Sequence, residues 1–283
     1  MSLAATADVL TAPTLTAGAF DTIRRIVSER SGIELSEGKR ELVCGRLARR
    51  LRALKCASYE DYANFVASKE GEEECHSMIC AVTTNVTDFW REPHHFEHVR
   101  DHVARQAIAD SKSGKPVRFW SAGSSDGREA YSLGATLLEA GNGQLGDLRI
   151  LATDIDTDIL RKARVGLYSA AEGDKLPLAL RDRWFREAGE QVEPIDVLRR
   201  LVQFNSLNLK EKWPMKRRFR AIFCRNVLIY FPNDLQAELM KRFAEILEPG
   251  GFLYLGHSER LHGPVTNQFK PCCPSGVQKV SAA

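Results

Sequence analysis

Acidic, amide and guanidinium side chains follow several short apolar runs of this 283-residue chain. Glu129, Asp154 and the pair Arg225-Asn226 each come shortly after such a run. A carboxylate can bind an ammonium group or the two hydroxyls of a ribose, and an amide can recognise a nucleobase. These residue types therefore favour a nucleoside ligand that carries a positively charged arm.

The first of these runs leads into the segment AGSSDGREA, in which Glu129 begins a predicted helix. Its glycines permit a sharp turn close to a ligand, but GxGxxG is absent and the glycine pattern alone is weak. A carboxylate at a helix start suits an ammonium group better than a pyrophosphate. S-adenosylmethionine fits this chemistry, whereas a dinucleotide would require pyrophosphate-binding glycines.

Asp154 ends the second apolar run, where a carboxylate is well placed to accept both ribose hydroxyls. The alternative role for Asp154 is to cap the next helix, which Asp156 or Thr157 could do instead. Further along, Asn208 and Leu209 offer an amide and an apolar surface suited to an adenine ring.

A second polar segment, TTNVTDFWREPHHF from Thr83 to Phe96, gathers side chains that a protein core does not need. Buried polar groups require partners, and an unpaired one costs about 1–3 kcal/mol. A solvated loop is the simple interpretation of this segment. Because polar residues also follow the later strands, we favour a role for this segment in the same site as those residues.

The elements that must position these residues change character along the chain. The first ~80 residues show only helical spacing of apolar residues, whereas short apolar runs alternate with helical patterns later on. Such alternation predicts a mainly parallel sheet covered by helices, and ligands of these sheets bind beyond the carboxyl ends of the strands. The segment Pro271–Pro274 is predicted to be a loop before a last strand at Val277–Val280.

The second predicted helix is strongly basic between Lys39 and Lys55 and contains one acid, Glu41. At ~100° per residue, Lys39, Arg46 and Arg50 share a narrow strip beside the leucine face. This strip is either an ordinary solvated face or a docking surface for an acidic partner. Like charges at this density are unfavourable unless an acidic surface neutralises them.

Composition excludes several classes of protein. The formal charge of +3 is too small to indicate a nucleic-acid-binding protein. No window reaches the ~18 apolar residues of a membrane helix, and the N-terminus lacks the pattern of a secretion signal. Seven scattered cysteines indicate free thiols in the cytoplasm, and their spacing predicts no metal site.

With these motifs assembled, the chain resembles the CheR family, the chemotaxis receptor glutamate O-methyltransferases. The resemblance rests on TTNVTDFWREPHHF, the loop with Gly127 and Glu129, ATDIDT, IFCRNVLIYF and GGFLYLGHSE, in order and spacing. It implies an α/β fold: a Rossmann-like S-adenosylmethionine-dependent methyltransferase domain, an all-helical N-terminal domain and a small inserted antiparallel β-subdomain. The predicted bounds are a flexible lead-in at 1–16, the helical domain at 17–88 and the catalytic domain at 89–283, with the β-subdomain at about 188–200.

The resemblance also assigns roles to individual residues. It implies a pocket for S-adenosylmethionine, and for the product S-adenosylhomocysteine, lined by Asn85, Thr87, Arg91, Glu129, Asp154, Asn208, Leu209, Arg225 and Asn226. Arg91 and Tyr230 are expected beside the transferable methyl as the catalytic residues. The expected partner is the cytoplasmic helical bundle of methyl-accepting receptors, docked on Lys39, Arg46, Arg49, Arg50 and Arg52.

The chain departs from the family pattern at Ser124, Asp126, Arg128 and Ala130. The second of the two paired acids of that pattern, which is the important one, is retained as Glu129. The segment after Phe185 is short, and its only glycine is Gly189. We therefore expect an enzyme that does not require a receptor pentapeptide. We expect a monomer. The alternatives are a catalytically silent module that binds the cofactor, a methyltransferase with another acceptor, and a nicotinamide oxidoreductase, which the missing GxGxxG disfavours.

Overall fold

The computed structural model describes residues 14–280, and the chain divides after Thr83 into two compact units. The predicted boundary at 88/89 therefore lies five residues too late. The reason is local: the Asn85 side chain donates to Asp156, and Ser125 donates to the Asn85 carbonyl, so this segment belongs to the second unit. Most of the predicted lead-in lies outside the described residues, but Leu15 is already buried.

The first unit is all helical, as predicted. Its helices are α1 (Ala17–Ser31), α2 (Arg40–Leu54), α3 (Tyr59–Ala67) and α4 (Glu72–Val82), with a 3₁₀ turn at Glu37–Lys39. The Thr16 hydroxyl caps α1 by accepting from the Ala19 amide, and Ser58 caps α3 by accepting from Asp61. Their apolar faces form the core of the unit, as the helical spacing predicts, with Phe20, Ile23, Val27, Val43, Leu47 and Leu51 buried.

The second unit alternates strands with helices. Its strands are β1 (Val117–Ala122), β2 (Leu148–Asp154), β3 (Tyr168–Ser169), β4 (Phe185–Ala188), β5 (Gln191–Pro194), β6 (Val202–Ser206), β7 (Phe219–Cys224), β8 (Leu247–Leu255), β9 (Phe269–Cys273) and β10 (Gly276–Lys279). Its helices are α5 (Pro93–His98), α6 (Ala104–Lys112), α7 (Arg128–Ala140), α8 (Thr157–Val165), α9 (Ala170–Gly173), α10 (Leu178–Trp184), α11 (Asp196–Leu201) and α12 (Asn233–Ile246). A π-helical turn at Val99–Val103 joins α5 to α6.

Seven strands form one sheet in the order β6-β2-β1-β7-β8-β10-β9. The first five are parallel, and β10 and β9 continue the sheet antiparallel. Parallel strands are covered on both faces by helices and read as continuous apolar runs, which is why β7 is buried along its whole length. The carboxyl ends of β1, β2, β6 and β7 therefore meet at one edge, as the alternating pattern predicts.

A separate three-stranded antiparallel sheet has the order β3-β5-β4. This confirms the small antiparallel subdomain, but its predicted bounds were wrong. It begins at Tyr168, and residues 196–201 form α11 instead of a strand. Gly189, at a φ of +66°, makes the tight turn between β4 and β5.

The segment Pro271–Cys273 is part of strand β9, so the prediction of a loop there was wrong. Proline in a strand is tolerated at a sheet edge, where its missing N–H breaks no ladder, and β9 is the edge strand. The predicted last strand is present as β10. No helix within residues 14–280 is long and apolar enough to cross a membrane.

Candidate cofactor site

The turn from β1 into α7 forms one wall of the candidate site. Gly123 and Gly127 have φ values of +81° and +89°, a conformation that favours glycine. A Cβ on Gly123 would lie 2.3 Å from Val227 Cγ2, so a larger residue there would force Val227 to move. Within the described residues, the buried Ser124 hydroxyl has no hydrogen-bond partner, which leaves a polar group available to a ligand.

Asp154 lies at the tip of β2 beside this turn. Its carboxylate accepts hydrogen bonds from the Ser125 amide at 2.8 Å and the Asp156 amide at 3.0 Å. Burial raises the pKa of Asp154 to about 6, although both amides act in the opposite direction. Asp156 caps α8 through the Asp158 and Ile159 amides. The competing capping role of Asp154 is therefore excluded, and its carboxylate remains available at the strand tip.

The polar segment after Thr83 reaches the same place. The Asn85 amide donates to Asp156 Oδ2 at 2.7 Å, and the Ser125 hydroxyl donates to the Asn85 carbonyl at 2.9 Å. Thr87 is half-buried in this segment. The structure thus brings Asn85 and Asp154 together around Ser125, although they are 69 positions apart in the sequence.

Glu129 lies at the start of α7 between two donors. The Ser121 hydroxyl donates to it at 2.7 Å and Arg225 Nη1 at 3.2 Å. Burial raises the pKa of Glu129, while the Arg225 charge acts against that rise. Arg225 has only 2% of its side chain exposed, and it also donates to the Arg91 carbonyl and lies 3.4 Å from Glu92. The buried Arg225 thus holds the Glu129 carboxylate in position through this ion pair.

The turn after β7 carries Asn226 and Tyr230, and a carboxylate that sequence reasoning missed organises it. Glu259 is buried and accepts from the amides of Asn226, Val227, Leu228, Ile229 and Gly256 at 2.6–3.4 Å. Asn226 has a φ of +58°. Glu259 ends the motif GGFLYLGHSE, so its position in that motif was the available indication of a role.

Asn208 and Leu209 follow β6 and come close to the tip of β2. The Leu207 amide donates to the Asp154 carbonyl at 3.0 Å. Leu209 is 7% exposed, and its carbonyl accepts from Trp213 Nε1 at 3.0 Å. Asn208 is engaged locally, since its side-chain oxygen accepts from the Lys210 amide. The pair lies next to Asp154, where an adenine beside a bound ribose would be found.

Two of the departures from the family pattern, Asp126 and Arg128, pair with each other and not with Glu129 or Asp154. Arg128 pairs with Asp126 at 2.7 Å and Glu172 at 3.0 Å, and it lies 3.4 Å from Asp88. Its charge is therefore balanced within a local ion-pair cluster. The Arg91 guanidinium donates to the Val86 carbonyl at 3.1 Å, which places Arg91 and its loop near Arg225.

The basic strip of α2, in the first unit, is only partly a free surface. Arg50 forms a bidentate ion pair with the buried Glu74, and Arg46 donates to the Val82 and Thr83 carbonyls. Arg49 and Arg52 are exposed. Arg46 and Arg50 therefore make contacts within the helical unit itself. We no longer expect all five predicted residues to dock a partner, that is Lys39, Arg46, Arg49, Arg50 and Arg52.

The residues at the sheet edge fit S-adenosylmethionine. Glu129 and Asp154 are carboxylates of the kind that an amino group and a ribose require, and the unpartnered Ser124 hydroxyl belongs to the turn beside Asp154. The turn lacks the GxGxxG pattern that binds a pyrophosphate. This donor set matches an amino-acid nucleoside and disfavours a dinucleotide.

Comparison with known proteins agrees with this geometry. Residues 18–83 match the all-alpha domain of CheR methyltransferases, and residues 85–275 match their SAM-binding domain. The chain is 43% identical over 244 residues to a probable chemotaxis protein methyltransferase of Rhizobium etli, covering 84% of this chain and 91% of the relative. It is 39% identical over 245 residues to the chemotaxis protein methyltransferase of Escherichia coli K12, covering 85% and 83%. The chain belongs to the CheR family and is an S-adenosylmethionine-dependent chemotaxis methyltransferase.

Proposed function

We propose that the chain methylates glutamate side chains of methyl-accepting chemotaxis receptors, producing glutamyl methyl esters for sensory adaptation. S-adenosylmethionine supplies the methyl group as a good electrophile. The observation that best supports this proposal is that Glu129 and Asp154 follow two adjacent strands of the sheet, β1 and β2. The first unit separately carries two exposed arginines on α2, Arg49 and Arg52.

In this proposal, Glu129 holds the amino group of the cofactor and Asp154 holds its ribose. Asn85 orders the Ser125 turn beside Asp154, and Leu209 offers an apolar surface to the base. Arg225 and Glu259 keep Glu129 and the turn after β7 in place. Pre-positioned groups of this kind lower the entropic cost of binding.

The acceptor carboxylate requires no general base. A glutamate has a pKa of about 4.3 and is ionised at neutral pH. The protein must then hold one carboxylate oxygen about 3–3.5 Å from the methyl carbon and remove its water. We assign this orientation to Arg91 and Tyr230. Arg91 must orient the acceptor without neutralising it fully, because a tight ion pair would lower the reactivity of the oxygen.

The substrate glutamates would lie on an acidic helical bundle, and α2 would dock on it. Arg49 and Arg52 are the exposed arginines among the five predicted docking residues, and we assign the docking mainly to them. Surface charge pairs of this type are screened by salt, so methylation would fall as ionic strength rises. The tight turn at Gly189 supports an enzyme that works without a receptor pentapeptide.

Labelled cofactor, purified enzyme and receptor-containing membranes test the proposal. Methyl esters release methanol under mild base, so base-labile label on the receptor is the expected result. Base-stable label would identify another acceptor. If S-adenosylhomocysteine binds but no label is transferred, the protein is a silent cofactor-binding module and the proposal fails. Receptor with the acceptor glutamates changed to alanine is the matched control.

A further inference from the structure

The adjacent thiols of Cys272 and Cys273 lie next to a histidine in the fold. The two sulfur atoms and one ring nitrogen of His98 all lie within 4.8 Å of one another. Both cysteines are free, and all three side chains are half-buried. None of the three has a role in the cofactor site. The cluster is therefore a separate group of metal-binding atoms.

A β-bulge explains how two consecutive cysteines come to face one ligand. Successive side chains of a regular strand point to opposite faces of the sheet. Between β9 and β10, however, Gly276 pairs with Cys273 and Val277 pairs with Pro271, so Cys272 is an extra residue on its strand. Such a bulge redirects the side chains beside it. A chain without this bulge would hold the two thiols apart.

The absence of a side chain at Gly276 gives the sulfur atom of Cys273 its space beside that of Cys272. A Cβ built there would lie 2.3 Å from Cys273 Sγ and 3.4 Å from Cys272 Sγ. Gly276 does not have a positive φ, so its backbone conformation does not itself require glycine. The close contact with Cys273 Sγ, and the tight one with Tyr254 Cδ1 at 3.2 Å, are what require it.

The third group is held in place by a hydrogen bond. His98 Nδ1 lies 2.8 Å from the hydroxyl of Tyr254, a residue of β8 that pairs with Gly276. When one ring nitrogen of a histidine donates to an oxygen, the lone pair of the other is available to a metal. Partners of this kind also fix the orientation of metal-binding histidines.

We propose that His98, Cys272 and Cys273 form a binding site for Zn²⁺, with water as the fourth ligand. Zinc bonds of about 2.3 Å to sulfur and 2.0–2.1 Å to nitrogen in a tetrahedron separate the donor atoms by about 3.5–3.8 Å. The observed cluster, within 4.8 Å, needs only a small contraction to reach that geometry. Metal sites are usually recognised in a sequence by spaced cysteines, which this chain lacks, and the bulge makes such spacing unnecessary.

Bound zinc would tie the last hairpin of the sheet to α5. That helix follows the loop that carries Arg91 and Glu92. A second group of possible ligands, Glu92, His94 and His95, carries no proposal of its own, because Glu92 lies 3.4 Å from Arg225 and belongs to the cofactor site.

Titration of the full-length, reduced, metal-free protein with Zn²⁺ tests the proposal. We expect one zinc per chain and, with Co²⁺ as a probe, the thiolate-to-metal charge-transfer absorption of a tetrahedral site. The Cys272→Ser/Cys273→Ser double variant should lose both, and His98→Gln should bind zinc at least tenfold more weakly. Cys56→Ser, which changes a thiol of the helical unit, should bind as the wild type does. Zinc at about 100 times its Kd should raise the Tm by about 5–10 °C.

Three outcomes would overturn the proposal. These are no binding of Zn²⁺ by the wild-type protein, equal binding by the double variant, and a cobalt spectrum without thiolate absorption. X-ray absorption of the zinc-loaded wild-type protein provides a test that requires no variant to fold. Two sulfur neighbours and one imidazole nitrogen are expected, and a shell of oxygen and nitrogen alone would refute the site.

Discussion

Replacing Glu259 with glutamine changes one atom of the carboxylate that holds the turn after β7. Oε1 accepts from the Val227, Leu228 and Ile229 amides, and Oε2 accepts from the Asn226 and Gly256 amides. A glutamine keeps one acceptor oxygen, but its NH₂ group then faces two amides that also donate. Each unsatisfied buried donor costs about 1–3 kcal/mol, so the loss for two is about 2–6 kcal/mol.

A loss of that size is a large part of the stability of a domain, which is typically about 5–15 kcal/mol. Urea denaturation followed by tryptophan fluorescence reports on the second unit, because all four tryptophans lie there: Trp90, Trp120, Trp184 and Trp213. The turn also carries Asn226 and Tyr230, so S-adenosylhomocysteine should bind roughly tenfold more weakly, or about 1.4 kcal/mol.

The matched control is Glu245→Gln, an exposed glutamate on α12. Such surface changes usually shift stability by less than about 0.5 kcal/mol. If Glu259→Gln unfolds at the same urea concentration as this control and binds S-adenosylhomocysteine equally well, the organising role of Glu259 is refuted.

Three further predictions concern the cofactor and acceptor. Burial raises the pKa of Asp154 to about 6, and a ribose favours the charged form, so S-adenosylhomocysteine affinity should rise between about pH 5 and about pH 7. Calorimetry should show that Asp154→Asn removes this rise, and an unchanged pH profile would contradict the ribose assignment. Tyr230→Phe should lower turnover more than cofactor affinity, whereas Asp154→Ala should lower cofactor affinity more than turnover. Initial rates measure the turnover of each variant, and calorimetry measures its cofactor affinity. Arg49→Glu/Arg52→Glu should slow receptor methylation and weaken its salt dependence without changing cofactor affinity. Arg25→Glu, on α1, is the control, and equal slowing by both variants would refute specific docking.

Most of the fold follows from spacing in the sequence. The apolar runs that became β1, β2 and β7 have the length of buried parallel strands, and helical spacing separates them. Because the carboxyl ends of parallel strands meet at one edge, Glu129 and Asp154 could be placed together without coordinates. The residue types at these strand ends already favoured S-adenosylmethionine, and the family resemblance supplied the reaction and its acceptor.

The parts that the sequence did not predict depend on tertiary contacts. The β-subdomain was placed too late because β3 has only two residues, too few to show a period. The prediction of a loop at Pro271–Pro274 was wrong because a strand that contains proline is possible at a sheet edge, a position that the local sequence does not show. Glu259 is 33 positions from Asn226, and no local pattern reveals that distant amides converge on it.

The placement of Arg225 has a consequence for proton balance. One guanidinium lies beside two carboxylates, Glu129 and Glu92, at 3.2 and 3.4 Å. Burial raises the pKa of Glu129, which favours an extra proton on that carboxyl group when no ligand is bound. The arrival of an ammonium group removes the need for that proton. In the complex we propose, cofactor binding should therefore release a fraction of a proton to solvent, and the apparent binding enthalpy should depend on the ionisation enthalpy of the buffer.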